Sequence, residues 1–174
     1  MEFTHLIQNR ACVRAYSDTP VTKEQITSIL EAALLAPNAC NFQSWHFYAV
    51  TNKDIIRAFH PNIARIPWID HISCLLVVAC DEQITKRLVD RFGEQGRMFV
   101  HQDAAGAINH MLLACADMGL GGCWIGPMDT TKCKKLLSMP EHHSPLAIVT
   151  IGVPADPVIK RARLPLSEKT TFIE

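Results

Sequence analysis

Apolar residues recur along this chain in three rhythms, and each predicts a different kind of element. The first is helical. Thr22-Lys-Glu-Gln25 is a capping box, and Ile26, Ile29, Leu30, Ala33 and Leu34 then repeat at helical spacing until Pro37 stops the pattern. Residues 3–9 read as a short helix. Asn52 or Thr51 caps another through Phe59, residues 82–92 form an exposed helix loosened at its end by Gly93 and Gly96, and Thr130 caps a helix to about Met139. The second rhythm is the unbroken apolar run. Cys74-Leu-Leu-Val-Val-Ala-Cys80 reads as a buried central strand, and residues 146–153 and 46–51 as further strands.

The third rhythm is apolar on every side. From Ala104 to Met118 small and aliphatic residues cover the whole circumference of a predicted helix, with Asp103 placed to cap its start and Gly119 to take the left-handed position after its end. A helix apolar all round is buried all round. Asn109, His110 and Asp117 interrupt it short of the roughly 20 residues a membrane span needs, so it belongs to a core or a subunit interface; packing alone accounts for it. Gly119, Gly121, Gly122 and Gly126 follow as a glycine-rich turn with bare backbone N–H groups. Neither GxGxxG nor GxxxxGK followed by Ser or Thr is complete there, so the turn is no standard phosphate cradle.

At 174 residues the chain is expected to form a single domain, 1–174, with a core over 1–153 and an extended tail over 154–174. Pro154, Pro157 and Pro165 keep most of that tail from being helical, while Leu164, Leu166, Phe172 and Ile173 ask to be pinned against something. Lys and Arg number 17 against 17 Asp and Glu, which gives no overall field for nucleic acid or an acidic membrane. The seven cysteines are odd in number and contain no CxxC, a pattern that suits reduced thiols and no metal cluster. The N-terminal MEFTHLIQNR has neither a basic start nor an apolar signal core. These features together predict a cytoplasmic protein.

Chemistry-bearing residues sit in four places. Arg10 and Arg14 flank a small-residue segment, the loop Ala36-Pro-Asn-Ala-Cys-Asn-Phe-Gln-Ser-Trp45 is dense in amides, the stretch GLGGCWIG follows the apolar helix, and IGVPA with a later RARLPL closes the chain. Taken alone, the arginines read equally well as solvated surface and the amides as turn-closers. In this order and at these separations the four resemble the nitroreductase-like FMN-dependent oxidoreductases, over nearly the whole chain.

That resemblance implies an α+β fold, a three-layer α/β/α sandwich that is homodimeric, its C-terminal tail packing on the partner subunit. It implies FMN as cofactor with NADH or NADPH as electron donor. It places Arg10, Ala11, Cys12, Arg14, Pro37, Asn38, Ala39, Asn41, Ile125, Gly126, Arg161 and Arg163 at the cofactor. Arg10, Arg161 and Arg163 would hold the phosphate, where planar guanidiniums bind oxygens bidentately. Cys12 stands where members often carry a serine, and a thiol is the poorer donor. Arg14 would sit by N1 and O2 of the ring and the Gly126 N–H near N5, making these two the catalytic candidates, while Pro127 has no N–H to offer the adjacent O4. The Pro37–Asn41 loop would reach the FMN of the partner subunit.

The function this implies is hydride transfer by a ping-pong mechanism from NAD(P)H to a small organic acceptor such as a nitroaromatic or quinone. An FMN-binding carrier or redox sensor without turnover is the alternative. A thiol- or metal-dependent enzyme using Cys40 or Cys123, suggested by cysteine abundance alone, is a third possibility. The histidines, including the His142-His143 pair, are expected to be surface or structural, with no metal bound.

Overall fold

The computed structural model describes residues 2–174; Met1, with which the expected domain begins, lies outside them. The order of elements is α1 (Phe3–Asn9), α2 (Lys23–Leu34), β1 (Trp45–Val50), α3 (Lys53–Ala58), β2 (Cys74–Asp81), α4 (Glu82–Phe92), α5 (Gln95–Asp117), β3 (Gly121–Ile125), α6 (Thr130–Leu136) and β4 (His143–Gly152). The four strands form one antiparallel sheet in the order β1-β2-β4-β3.

β2 is apolar without interruption because both of its faces are covered. Cys74, Leu76 and Val78 turn to one side, against Ile26, Ile29 and Ala33 of α2 and Ala107, Ile108 and Met111 of α5. Leu75 and Val77 turn to the other, against Ile56 of α3, Phe59, Ile66, Ile72 and Cys133 of α6. Helix, sheet and helix thus make the three expected layers. Each fully buried large side chain contributes roughly 1.5–3 kcal/mol. No helix among the described residues is long and apolar enough to cross a membrane.

Local signals account for most boundaries. Both hydrogen bonds of the Thr22–Gln25 capping box are present, and Asn52 accepts from the N–H groups of Asp54 and Ile55 to open α3. Gly119 takes a left-handed φ of 72° after α5.

Four expectations need correcting. Asp103 does not cap α5, which begins eight residues earlier at Gln95; Asp103 lies inside the helix and is buried. Gly96 does not loosen a helix end. It belongs to α5 and lets that helix meet α4, since a Cβ there would lie 2.4 Å from the Leu88 carbonyl carbon. The glycine-rich turn at 121–125 is the edge strand β3. Finally, α6 is capped by Asp129, whose carboxylate accepts from Lys132 N–H, and ends at Leu136.

Over the predicted span from Ala104 to Met118, α5 is also not buried on every side within one chain: Asn109 and Asp117 are exposed. The tail is exposed from Ala155 onward, with one 3-10 turn at Leu166–Glu168.

Candidate cofactor cleft

The segment from Ala11 to Ser17 runs along the start of β3 at Gly122 and on to Val153 and Pro154, just past the end of β4. Cys12 bridges to Gly122, Val13 N–H donates to Gly122 C=O at 3.1 Å, and Ser17 N–H donates to Val153 C=O at 2.9 Å. The Tyr16 hydroxyl, buried, donates to Val13 C=O at 2.8 Å and shares a hydrogen bond with Thr150 Oγ1 at 3.0 Å. Burial holds the Tyr16 phenol well above its ordinary pKa, so it stays protonated. Gly121 of β3 serves this packing, since a Cβ there would lie 2.7 Å from Val13 side-chain atoms, while a Cβ on Gly122 would lie 2.7 Å from Leu112 of α5 on the other side. Gly121 permits close approach of the arginine segment, whose Val13 N–H takes the Gly122 carbonyl that a bare strand edge would leave open.

That packing sets Arg10, Ala11, Cys12 and Arg14 on one wall of a cleft of about 510 Å³, with Lys160, Arg161 and Arg163 of the tail on the other. No Asp or Glu lines it. An adjoining hollow shares Cys12, Arg14 and Arg161 and adds Asp156. Arg163 currently donates to the carbonyls of Arg161 and Ala162, at 3.1 and 3.3 Å.

Arg14 lies over the Trp68 ring, 5.7 Å from its centroid, and Trp68 Nε1 donates to Thr150 Oγ1 at 3.5 Å. Nothing in the local sequence of Trp68 had pointed to this support. Cys123 also lies beside Cys12 and Arg14; burial first, then Cys12, pushes its thiol up to about 11 against the pull of Arg14. At neutral pH Cys123 is therefore a thiol and a poor nucleophile.

Ile125 ends β3 and Gly126 follows it, and neither lines this cleft. Gly126 is exposed, does not have positive φ, and has nothing within 4 Å of the place a Cβ would occupy. Open space, rather than backbone strain, is what a glycine keeps there.

The amide loop is built differently. Ala39 N–H donates to Asp103 Oδ1 at 2.8 Å, and Ser44 Oγ donates to Asp103 Oδ2 at 3.2 Å. Cys40, Asn41 and Gln43 hold left-handed φ values of 54°, 55° and 53°. Asn38 uses its carbonyl oxygen on Gln43 N–H at 2.9 Å and its amide on Ala36 C=O at 3.3 Å, so this side chain does close a turn. Pro37, Asn38, Ala39 and Asn41 do not line the arginine cleft of their own chain. Burial raises the Asp103 pKa, opposed by its bonds from Ala39 and Ser44. Its only trace in the sequence is a carboxylate within an otherwise apolar helical run.

The chain's relatives bear on what this arrangement is. The nitroreductase family model matches residues 7–81 and 64–153. A protein of Archaeoglobus fulgidus that carries an NADH dehydrogenase/NAD(P)H nitroreductase name is 31% identical over 159 residues, covering 89% of this chain and 87% of its own. The FMN reductase (NADPH) of Bacillus subtilis is 27% identical over 170 residues, covering 91% and 68% of the two chains. In three dimensions, a nitroreductase family protein from Streptococcus pneumoniae superposes with a TM-score of 0.90 at 20% identity, over 99% of this chain and 100% of that one, which shows the common fold. With the family model spanning nearly all of its three-layer core, this chain belongs to the nitroreductase family.

Proposed function

We propose that this protein is an FMN-dependent NAD(P)H oxidoreductase whose cofactor phosphate is held between Arg10 on the core and Arg161 and Arg163 on the tail. One observation carries this reading: the cleft collects four guanidiniums and one ammonium without a carboxylate. Like charges gathered without compensation repel, and a cleft of one sign concentrates the opposite ion. A phosphate dianion fits that donor set, since each planar guanidinium can offer it two parallel N–H bonds. Ala11 and Cys12 supply the intervening backbone, the Cys12 thiol adding only a weak donor.

Bound FMN supplies the redox chemistry, taking hydride from NADH or NADPH and passing it to a small organic acceptor such as a nitroaromatic or quinone in a ping-pong cycle. The chain's own residues hold and tune it. Arg14, steadied over Trp68, offers a fixed positive charge where a reduced ring gathers negative charge. Ile125 and Gly126 offer backbone at an unobstructed strand end, and Pro127 withholds one N–H beside it. The names of the relatives, FMN reductase and NAD(P)H nitroreductase, support the same chemistry.

The protein acts as a homodimer in this reading. Pro37, Asn38, Ala39 and Asn41 stand off the cleft of their own chain and serve the cofactor of a second copy. Exposed Leu35 at 80%, Phe172 at 80% and Ile173 at 95% support a further covering surface, with the tail over 154–174 packing on the partner.

A visible absorption spectrum of the purified protein tests the cofactor, and anaerobic mixing tests the reaction. Rapid bleaching of the flavin by NADH or NADPH is expected. A flavin that neither donor bleaches would make the protein a carrier or sensor, and no flavin would remove the cofactor assignment.

A further inference from the structure

At the other end of β4 from the arginine cleft, three side chains converge that the oxidoreductase reading does not use. We propose that Asp81, His142 and His143 form a binding site for a divalent transition-metal ion of the zinc class. One ligand atom from each lies within 4.8 Å of the other two. Ligand atoms on a tetrahedral zinc are roughly 3.4 Å apart at bond lengths of about 2.0–2.1 Å, so small side-chain rotations close the set.

The backbone holds these residues in place. Asp81 ends β2 directly opposite His143 in the β2–β4 ladder, and Glu82 N–H donates to His142 C=O at 2.7 Å. One carboxylate oxygen of Asp81 caps α4 through Gln83 N–H at 2.8 Å, which fixes the group and leaves its second oxygen for an ion. His143 is 7% exposed, and its Nδ1 is hydrogen-bonded to the Tyr48 hydroxyl at 2.5 Å. That leaves Nε2 to bind, with Tyr48 setting the ring's orientation from behind, as an outer partner does for a ligating histidine. The His46 ring walls the site, 4.3 Å from that of His143.

Two imidazoles and one carboxylate select against calcium and magnesium, which take oxygen sets, and favour zinc and its neighbours. Three protein ligands leave a position for water. The ion would clamp the start of β4 to the junction of β2 and α4. His143 is eight residues along β4 from Ile151, the partner of Gly122 beneath the cleft, roughly 27 Å at a strand's rise. The site is therefore well apart from the arginine cleft of its own chain.

The test uses the flavin-loaded protein, stripped of metals with a chelator and titrated with zinc in a calorimeter. One zinc per chain is expected, with micromolar or tighter affinity, a raised melting temperature and an unchanged flavin spectrum. Asp81→Asn and His142→Ala should each weaken binding more than about 100-fold, and Tyr48→Phe about tenfold. Imidazole NMR of the wild type gives a second readout that needs no variant: zinc should move the His142 and His143 resonances first. No saturable binding below about 100 μM zinc, wild-type affinity in both ligand variants, or shifts confined to other histidines would each overturn the site.

Discussion

The cleft at Arg10 and the loop at Asn38 differ in what holds them still. In the cleft the core wall has a tethered backbone, through Cys12, Val13 and Ser17, while its cations, half-buried Arg10 and exposed Arg14, repel one another and those of the tail. In the loop the order is reversed. Three non-glycine residues sit in left-handed conformations that cost energy, and the buried carboxylate of Asp103 on α5 offsets this by holding Ala39 and Ser44 on either side of them. The cleft is thus built for affinity and can adjust to a charged ligand. The loop is built for shape, fixed before any ligand arrives.

The largest effect should come from the charged side. Arg10→Ala or Arg163→Ala removes a charge-assisted hydrogen bond worth roughly 1.5–3 kcal/mol, about ten- to 150-fold in FMN affinity by flavin fluorescence titration. Riboflavin, without the phosphate, should bind wild type and variants alike. Equal FMN constants in all three proteins would put the phosphate elsewhere and dissolve the contrast.

Next comes the shaped side. Asp103→Ala strands the Ala39 N–H and the Ser44 hydroxyl, and should lower stability by about 1–3 kcal/mol in urea denaturation. The preference for FMN over riboflavin should survive. Asp103→Asn, which keeps an oxygen for Ala39, should lose less; an undiminished Asp103→Ala protein would show that something else holds the loop.

Trp68→Leu sharpens the comparison from within the cleft. Losing the ring under Arg14 removes about 0.5–1 kcal/mol, which should slow flavin bleaching by about two- to fivefold with FMN affinity near that of wild type. The smallest change in stability belongs to Gly126. Since nothing crowds it and its φ is ordinary, Gly126→Ala should shift stability by less than about 0.5 kcal/mol. Gly126→Val should slow flavin reduction without unfolding the protein. Unchanged reduction in that variant would take Gly126 away from the ring edge.

The three layers were legible because period and caps act locally: Thr22, Asn52 and the run from Cys74 to Cys80 announce their elements within a few residues. Asp103 misled for the same reason. A carboxylate just before an apolar run has the form of a cap, yet the polar turns from Gln95 to Gln102 are helical too, and the partners of Asp103 lie 64 and 59 residues away. Glycines at 121 and 122 suggested a turn because glycine is poor in strands; the reasons for them are Val13 against Gly121 and Leu112 of α5 against Gly122, which only the tertiary fold brings alongside. Arg10, Arg161 and Arg163 were assigned together by resemblance, and the fold does gather them. Trp68 had no local signature at all, and Asp81 none beyond that of a helix cap, since each matters through what it faces.

The tail carries a mechanical consequence. Ala155, which donates to Ala15 C=O at 3.0 Å, is the last residue among those described whose main chain bonds to the core, and Arg161 follows six residues later. Three of the five cations therefore ride on a leash of about 20 Å. An anion that bridges the two walls closes a short ring, in which the tethered arginines act at millimolar effective concentration. Salt that screens them loosens cofactor and leash at once. Trypsin, which cuts after Lys160, Arg161 and Arg163, thus becomes a gauge of occupancy, its rate on the tail rising in step with every flavin that leaves.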